Sequence, residues 1–566
     1  MSWKLKRTMH ALLDAERGTI RKSWGGQAIR MAIAYPNVYY IAMSNLGFQT
    51  MYRHINLRPD TICERVFLPD REEEQVYRRQ HIPLFSFESQ TPVAQFDILA
   101  FSISFENDYL NVLKILELSR IPYLAADRDE RYPLIMIGGA ITYINPEPLA
   151  DFADLIVVGD GEEVINRYLD RFLADMGRPR QAHLAEAAAI EGIYVPSLFS
   201  PASSSRPVVK QRLDRLDEYV AYSAVITPHT EFKNTLLVEI SRGCPRLCRF
   251  CTVSYIYPKF RMVPAATVLQ LVQERKQEEG TASGTAFDRV GLISSATSDY
   301  REIETLALGL RELGMKISVS SLRIDKLPEG LLQALVESDG RSLTVAPEAG
   351  SERLREVIRK PIPEAKILEG VERMLQKGVQ NLKLYFMVGL PTETEEDIEQ
   401  LIRLTLEIAR CMEGYQRGQG HLGELILSIN PFIPKPLTPF QWCEMAPPKV
   451  VKGKIDRIRK ALRPFAHITV KHESFKSAYL EAILARGDRS LSRFLLVTHR
   501  CQGDWRRALR ELGWSLESFL TVRENQEGKL PWEFIMSESD RRMITRQYER
   551  AFSLPLPYEV APPGRA

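Results

Sequence analysis

Short runs of β-branched and apolar residues alternate with longer amphipathic stretches through the second half of this chain. Runs of four to eight such residues are typical of buried strands, and apolar spacings of three and four are typical of helices. The pattern predicts strands near Leu236–Ile240, Val290–Ser294, Lys316–Ser320, Ser342–Ala346, Leu382–Val388 and Leu425–Ile429. It predicts helices between them at Ala265–Glu279, Ile303–Leu313, Glu329–Glu337, Glu364–Lys377 and Glu395–Met412. This alternation predicts an open, partial (β/α)6 barrel.

The first part of the chain alternates in a similar way. Five runs read as buried strands with helical segments between several of them: Ala28–Ala34, Ile62–Val66, Ile98–Ser102, Leu134–Ile137 and Leu155–Val158. This pattern predicts a doubly wound α/β sheet. Its turns carry Gly138-Gly139 and Gly159-Asp-Gly-Glu-Glu163. Glycines there either make tight turns or let the backbone approach a bound ligand, and both interpretations stay open.

Changes of composition predict the domain boundaries. Ser197–Pro207 is rich in Ser and Pro and is typical of a linker. Pro431–Trp442 holds four prolines and three aromatic residues, so we expect an extended segment that crosses the barrel mouth as a lid or, as we favour, braces its flank. Beyond Lys449, amphipathic patterning predicts helices that include Tyr479–Ala485, Leu491–Thr498 and Trp505–Leu512. We predict an N-terminal sheet domain over 28–190, a linker over 191–230, a barrel over 231–445 and a small helical C-terminal extension over 446–566.

Composition narrows the classes of function. The chain has 566 residues, enough for several domains, and 45% of them are hydrophobic. Its net charge is +3, from 75 basic and 72 acidic side chains, so no strong field favours nucleic acid or an anionic membrane. We find no apolar run of about 18 residues and no apolar core in the first 26. We therefore expect no membrane partner, no export and a cytoplasmic location, whose reducing conditions suit free thiols.

Three cysteines carry the clearest chemical signal: Cys244, Cys248 and Cys251. They follow the first predicted barrel strand, and parallel barrels hold their active sites at the carboxyl ends of strands. Thiolates spaced C-x3-C-x2-C can bind three irons of a cubane cluster and leave the fourth iron open. A structural zinc or a ferredoxin run needs a fourth ligand, and no Cys or His lies within the twenty residues after Cys251. A set of three also argues against disulfides.

This spacing, with Phe250 directly before the last cysteine, resembles the signature of the radical S-adenosylmethionine (SAM) superfamily. The resemblance covers roughly residues 28–560. Over this length the chain is similar to an uncharacterised bacterial group with a cobalamin-binding-like N-terminal domain. It implies an enzyme with a 4Fe-4S cluster on the three cysteines and SAM bound at the open iron. It further implies that SAM is cleaved reductively to methionine and a 5′-deoxyadenosyl radical, which abstracts hydrogen from a substrate.

The resemblance also assigns SAM contacts to turns that follow the predicted strands. Glu348, in a Pro-Glu-Ala-Gly-Ser turn, is expected to bind the ribose hydroxyls or the amine of SAM. Gly389 and Pro391 match a Gly-x-Pro turn near the adenine, and Phe250 is expected to pack beside it. Further candidates for cofactor binding are Ser294, where the family's Gly-Gly-Glu motif is absent, and Arg323. Each turn has a structural alternative: Thr392 or Thr394 and Ser351 as helix caps, and Arg323 with Asp325 as an ion pair on a solvated face.

A lysine is predicted inside the barrel. Alternation along Leu382–Val388 places Lys383, Tyr385 and Met387 on one face of the strand. A lysine in a barrel interior needs an anionic partner, which the SAM carboxylate or the substrate could supply. Alternatively, Lys383 lies near the open bottom of the barrel and reaches water, and both interpretations stay open.

The N-terminal sheet resembles cobalamin-binding domains, but it departs from them at the residues that matter for cobalt. The common type carries Asp-x-His-x-x-Gly after the first strand, and alignment on Gly47 places Ala42 and Ser44 where Asp and His would stand. We therefore do not favour cobalamin as a cofactor, and we expect a retained fold that shapes the substrate entrance.

Three functions remain from the sequence. We favour a radical SAM enzyme that acts on an unknown small molecule, peptide or RNA, with flavodoxin or ferredoxin as the reductant. The alternatives are a cobalamin-dependent radical SAM methyltransferase and a non-catalytic iron-sulfur sensor or nucleic-acid-binding protein. No recognisable RNA-binding module or basic stripe is present, which argues against RNA as the substrate.

Overall fold

A computed structural model describes residues 3–23, 28–199, 208–279, 287–320, 322–338, 340–417, 422–521 and 529–553. Part of the predicted linker, residues 200–207, lies outside these ranges. The chain forms two compact units: Met1–Val238, Ile483–Ser518 and Arg523–Ser537 make the first, and Glu239–Ala482, Phe519–Val522 and Glu538–Ala566 make the second. Within the described residues, no helix is both long enough and apolar enough to cross a membrane.

The first unit is built on a six-stranded sheet. Its strands are β1 (Ile29–Tyr35), β2 (Thr61–Phe67), β3 (Ile98–Ser102), β4 (Leu134–Gly138), β5 (Leu155–Val157) and β6 (Ile193–Tyr194). The helices of this part of the chain are α1 (Trp3–Asp14), α2 (Tyr39–Ala42), α3 (Leu46–Asn56), α4 (Arg71–Arg79), α5 (Tyr109–Leu118), α6 (Gly161–Ala174) and α7 (Arg180–Ala187). The strand order is β2-β1-β3-β4-β5-β6, in which β6 alone is antiparallel to its neighbour. This confirms a doubly wound sheet, and the two-residue strand β6 was too short to predict.

Alternation along β1 explains how this sheet packs. Met31 and Ile33 point to one face, where they join a buried cluster with Phe48 and Tyr52 of α3 and Tyr168 of α6. Side chains at alternate positions of a strand share a face, so an apolar strand flanked by helices buries both. The helices α3 and α6 therefore cover an apolar face of the sheet.

The glycines that follow β4 and β5 make close contacts within the protein itself. Gly139 has φ 102° and Gly159 has φ 117°, both in the region that favours glycine. A Cβ on Gly159 would lie 2.3 Å from the carbonyl oxygen of Gln211, and one on Gly139 would lie 2.4 Å from that of Ile103. Close backbone packing thus accounts for both glycines.

The second half of the chain contains the strands β7 (Thr235–Glu239), β8 (Ser241–Arg242), β9 (Arg261–Met262), β10 (Arg289–Ile293), β11 (Lys316–Val319), β12 (Ser342–Glu348), β13 (Asn381–Val388), β14 (Leu425–Pro431) and β15 (Ile468–His472). Its helices up to β15 are α8 (Val253–Ile256), α9 (Ala265–Glu279), α10 (Ile303–Glu312), α11 (Glu329–Glu337), α12 (Glu352–Val357), α13 (Glu364–Gln376), α14 (Glu395–Gln416) and α15 (Pro448–Leu462). The remaining helices are α16 (Phe475–Arg486), α17 (Leu491–Arg500), α18 (Trp505–Leu512), α19 (Glu517–Leu520) and α20 (Glu538–Phe552).

Parallel strands form the barrel wall. One sheet has the order β11-β10-β7, and a second has the order β12-β13-β14-β15. Leu322, just past β11, makes a parallel bridge to Val345 of β12. In β13 and β14 the outward residues Leu382, Leu384 and Leu427 are fully buried, whereas alternate residues stay half-buried. The half-buried face is the lumen of the barrel.

Two details of the wall differ from the sequence prediction. Strand β15 lies in the segment that was predicted to be helical. The sequence pattern missed it because its residues are half-buried or exposed at the sheet edge and carry little apolar signal. The fourth barrel strand, predicted to end at Ala346, continues to Glu348. The pairing register with β13 shifts between Val345 and Glu348, and a bulge of this kind accommodates Pro347 inside a strand.

Candidate active site

The three cysteines lie on a loop held by a small hairpin. Strands β8 and β9 pair antiparallel, with Ser241 opposite Met262. Gly243 has φ 93°, and a Cβ there would lie 2.6 Å from the carbonyl oxygen of Lys259. Only glycine fits between the two arms, so the chain turns sharply just before Cys244.

Arg249 fixes the far side of this loop. It is 5% exposed, and its Nη1 donates to the carbonyl oxygens of Glu356 and Val357 at 3.1 and 2.6 Å. Its backbone N–H donates to the carbonyl oxygen of Ile358 at 3.0 Å. These bonds tie the segment between Cys248 and Cys251 to the end of α12.

The thiols suit a cluster better than a single metal ion. All three are free and half-buried. Burial raises the pKa of Cys251 to about 12, and burial also raises the pKa of Cys248, where the Lys360 ammonium opposes the shift. Among the described residues, no three His, Cys, Asp or Glu side chains meet as one metal ion requires. A four-iron cluster takes each thiolate on a different iron, so this donor set fits it.

Glu348 and Lys360 form an ion pair close to the thiols. The carboxylate Oε1 lies 3.0 Å from Nζ, and the side chains are 15% and 10% exposed. Both charges act on the Cys248 thiol. Glu348 has φ 71°, an unusual value for a residue with a side chain, and its strand ends there. The sequence located Glu348 at this rim but gave no sign of Lys360, twelve positions further along the chain.

Arg323 and Ser294 are near the same loop, with partners of their own. The Arg323 guanidinium makes a bidentate bond to Asp325 at 3.0 and 2.7 Å, and this pair is only 15% and 21% exposed, so it does not lie on a solvated face. Its charge also acts on Cys248. The Ser294 hydroxyl bonds to that of Ser241 at 2.6 Å and accepts from its own turn. Ser294 therefore joins the cysteine loop to the second barrel strand.

A second ion pair at the loop was not predicted. Arg246, between the first two cysteines, donates to Asp299, which follows β10, and Lys326 also donates to Asp299 at 3.0 Å. Although burial raises the pKa of Asp299, these two cations hold it below its usual value. The position of Arg246 inside the cysteine run was the only signal in the sequence.

The Gly-x-Pro turn is held by an acid that sequence reasoning missed. Gly389 has φ 82°, and its backbone N–H donates to both oxygens of Glu393 at 3.0 Å. Burial raises the pKa of Glu393, and Lys454 pairs with it. Thr394 caps α14, as the structural alternative predicted, while Pro391 stays half-buried at the turn. Ser351 likewise caps α12.

Phe250 and Lys383 occupy different parts of the barrel. Phe250 packs with Met387 against a buried cluster that contains Phe432 and Phe440 of the proline-rich segment and Ala551 of α20. Lys383 lies in the lumen, where Nζ donates to the Tyr385 hydroxyl at 2.9 Å. The proline-rich segment is part of this cluster through Phe432 and Phe440, and whether it braces the barrel flank or crosses the mouth stays open.

Comparison with known proteins assigns the family. The model of radical SAM proteins, N-terminal, matches residues 47–196, and that of the radical SAM superfamily matches residues 238–405. An uncharacterised protein of Methanocaldococcus jannaschii, MJ0966, is 33% identical over 82% of this chain and 90% of its own. The chain belongs to the radical SAM superfamily. Radical SAM proteins are enzymes that use a 4Fe-4S cluster and SAM, and the cysteine loop supplies three ligands of the type this cluster needs.

More distant proteins match part of the chain. The uncharacterised methyltransferase PH0819 of Pyrococcus horikoshii is 22% identical over 50% of this chain and 60% of its own. The threonylcarbamoyladenosine tRNA methylthiotransferase MtaB of Aquifex aeolicus is 20% identical over 50% of this chain and 62% of its own. The cobalamin-dependent radical enzyme OxsB superposes with a TM-score of 0.48 and 14% identity over 67% of this chain and 52% of its own.

Proposed function

We propose that this radical SAM enzyme binds its cluster through Cys244, Cys248 and Cys251 and binds SAM beside Glu348. With both groups bound, the site would supply the electron for reductive cleavage of SAM and the radical chemistry that removes hydrogen from a substrate in the lumen. One observation carries the assignment: Glu348 and Lys360 form an ion pair at 3.0 Å, and both charges act on the Cys248 thiol. A SAM molecule at the open iron would lie within reach of both.

The surrounding residues have separable tasks in this proposal. Arg249 and the β8–β9 hairpin hold the loop, so the thiols keep their relative positions. The Glu348 carboxylate accepts hydrogen bonds from the ribose hydroxyls or the ammonium group of SAM, and Lys360 orients that carboxylate. Phe250 and the Gly389–Pro391 turn border the adenine. Flavodoxin or ferredoxin is the proposed reductant.

We do not extend the proposal to cobalamin. The hydroxyl of Ser44 donates to the carbonyl oxygen of Tyr40 at 2.7 Å and accepts from the backbone of Glu231 at 2.9 Å. A serine held in this way occupies the position where a cobalt-binding histidine would stand. Gly139 and Gly159 also pack closely against backbone atoms inside the first unit, so these contacts already account for the two glycines.

Product analysis tests the proposal. Protein reconstituted with iron and sulfide without oxygen is reduced in the presence of SAM, and the nucleoside products are separated by chromatography. We expect 5′-deoxyadenosine from the wild type and from Cys501→Ala, a control thiol outside the loop, and none from Cys248→Ala. S-adenosylhomocysteine formed only with added cobalamin would favour the methyltransferase. Intact SAM in a reduced protein that binds it would favour the sensor.

A further inference from the structure

The lumen face of the second sheet is polar. Because Cα partners on parallel strands share a face, Thr344, Lys383 and Ile426 form one row, and Tyr385, Ser428 and Lys471 form the next. All of these residues are half-buried except Lys471, which is exposed on the edge strand β15. If these side chains served only to pack the barrel interior, branched apolar residues would be expected in these rows.

Two lysines on this face make no ion pair with an acidic side chain among the residues that the structure describes. Within the described residues, the Lys383 ammonium group has one polar side-chain partner, Tyr385, with Nζ 2.9 Å from the hydroxyl and 4.7 Å from the ring centroid. Lys471 makes no ion pair in the same part of the chain. The nearby carboxylate of Glu424 is exposed and accepts from Thr469. A half-buried ammonium group without a counter-charge is costly, so its position favours an external anion.

The depth of Lys383 separates that anion from SAM. Glu348 pairs with Phe386, three residues further along the strand than Lys383. At about 3.3 Å per residue, the backbone of Lys383 lies about 10 Å along the strand from the position paired with Glu348. Its Nζ donates to the hydroxyl of Tyr385. Under the proposed function, SAM would be held at the rim by the cysteine loop and Glu348, which leaves Lys383 for a different anion.

We infer that Lys383, with Tyr385, Ser428 and Lys471, binds a carboxylate or phosphate group of the substrate. This inference rests on the proposed function and names the substrate class: a polar molecule whose anionic group enters the lumen while the carbon that loses hydrogen stays near the rim. Lys471, on the exposed edge strand, meets the same anion from the open side of the barrel.

Calorimetry with defined probes tests this inference. Inorganic phosphate and succinate are titrated separately, at fixed ionic strength, into reconstituted protein loaded with SAM. We expect the wild type to bind one of them, and the probe that binds distinguishes a phosphate from a carboxylate site. Binding should weaken tenfold or more in Lys383→Met, recover in Lys383→Arg and be unchanged in Lys452→Met, a surface control on α15.

Two further measurements keep this test decisive. Iron content and the melting curve establish that Lys383→Met is folded, and Lys383→Gln replaces it if it is not. SAM affinity should stay within about twofold of the wild type. A tenfold loss of SAM affinity in Lys383→Met would assign the lysine to the SAM carboxylate, and equal probe binding in all variants, or in none, would also overturn the inference. Failure of the wild type to cleave SAM would instead count against the proposed function.

Discussion

Replacing Glu348 with Gln separates a SAM contact from a purely structural ion pair. The change keeps the size of the side chain but removes the charge that lies 3.0 Å from Lys360. Charge-assisted hydrogen bonds contribute about 1.5–3 kcal/mol, so a carboxylate that accepts from SAM should account for a ten- to hundredfold difference in affinity. We therefore expect SAM binding in Glu348→Gln to weaken by at least about tenfold, with the cluster retained.

The assay is calorimetric titration of SAM into reconstituted protein, with iron and sulfide measured on the same sample. Glu352→Gln is the matched control, because Glu352 lies four residues away on α12 and its side chain is exposed. Lys360→Met tests whether the pair acts together, since it leaves Glu348 without its cation. Wild-type SAM affinity in Glu348→Gln at full iron content would refute the assignment and leave Glu348 as the partner of Lys360 alone.

Three further predictions follow from the same structure. The triple variant of Cys244, Cys248 and Cys251 to Ala should lose its iron and sulfide, and about four of each retained per chain would contradict the cluster assignment. Any hydroxocobalamin that binds should show no protein nitrogen as the lower ligand in electron paramagnetic resonance of its Co(II) form, and splitting that changes with nitrogen labelling of the protein would contradict this. Burial raises the pKa of Glu147 to about 7, so the folded state gains from its protonation below about pH 4.5 and loses that gain as the pH rises through 7. Glu147→Gln should therefore be more stable relative to the wild type at pH 8 than at pH 5, by up to about 3 kcal/mol, and parallel melting temperatures at the two pH values would contradict the shift.

The regular parts of the fold could be predicted because they depend on local patterns. The helices at Ala265–Glu279 and Glu329–Glu337 and the strand at Ile98–Ser102 have the predicted bounds. The residues within each element have a local preference for its type of structure. Strand β15 was missed because an edge strand needs few apolar residues, and its pairing with β14 depends on a distant part of the chain.

The candidate site divides in the same way. The cysteines and the glycine turns could be predicted from the sequence because their spacing along the chain carries the signal. The ion pairs could not be predicted, since Arg246 and Asp299 are 53 positions apart and nothing local specifies that they meet. Glu393 lay in a recognised turn, but a carboxylate buried on a backbone N–H is indistinguishable in sequence from an exposed helix-start acid. The roles assigned to the predicted site residues all stay predictions: Cys244, Cys248, Cys251, Phe250, Ser294, Arg323, Glu348, Lys383, Gly389 and Pro391.

The guanidinium of Arg249 gives the cysteine loop and α12 a common frame. Glu348 lies just before α12 and Lys360 just after it, while Arg249 lies between two of the cysteines and is bonded to the last turn of that helix. A displacement of the helix must therefore carry two of the thiols along with it. The distance from the cysteine sulfur atoms to Glu348, the carboxylate that we propose binds SAM, is thus set by one rigid segment rather than by two loops that move independently. Motion of this part of the barrel rim would then shift Glu348 and the cysteine loop together.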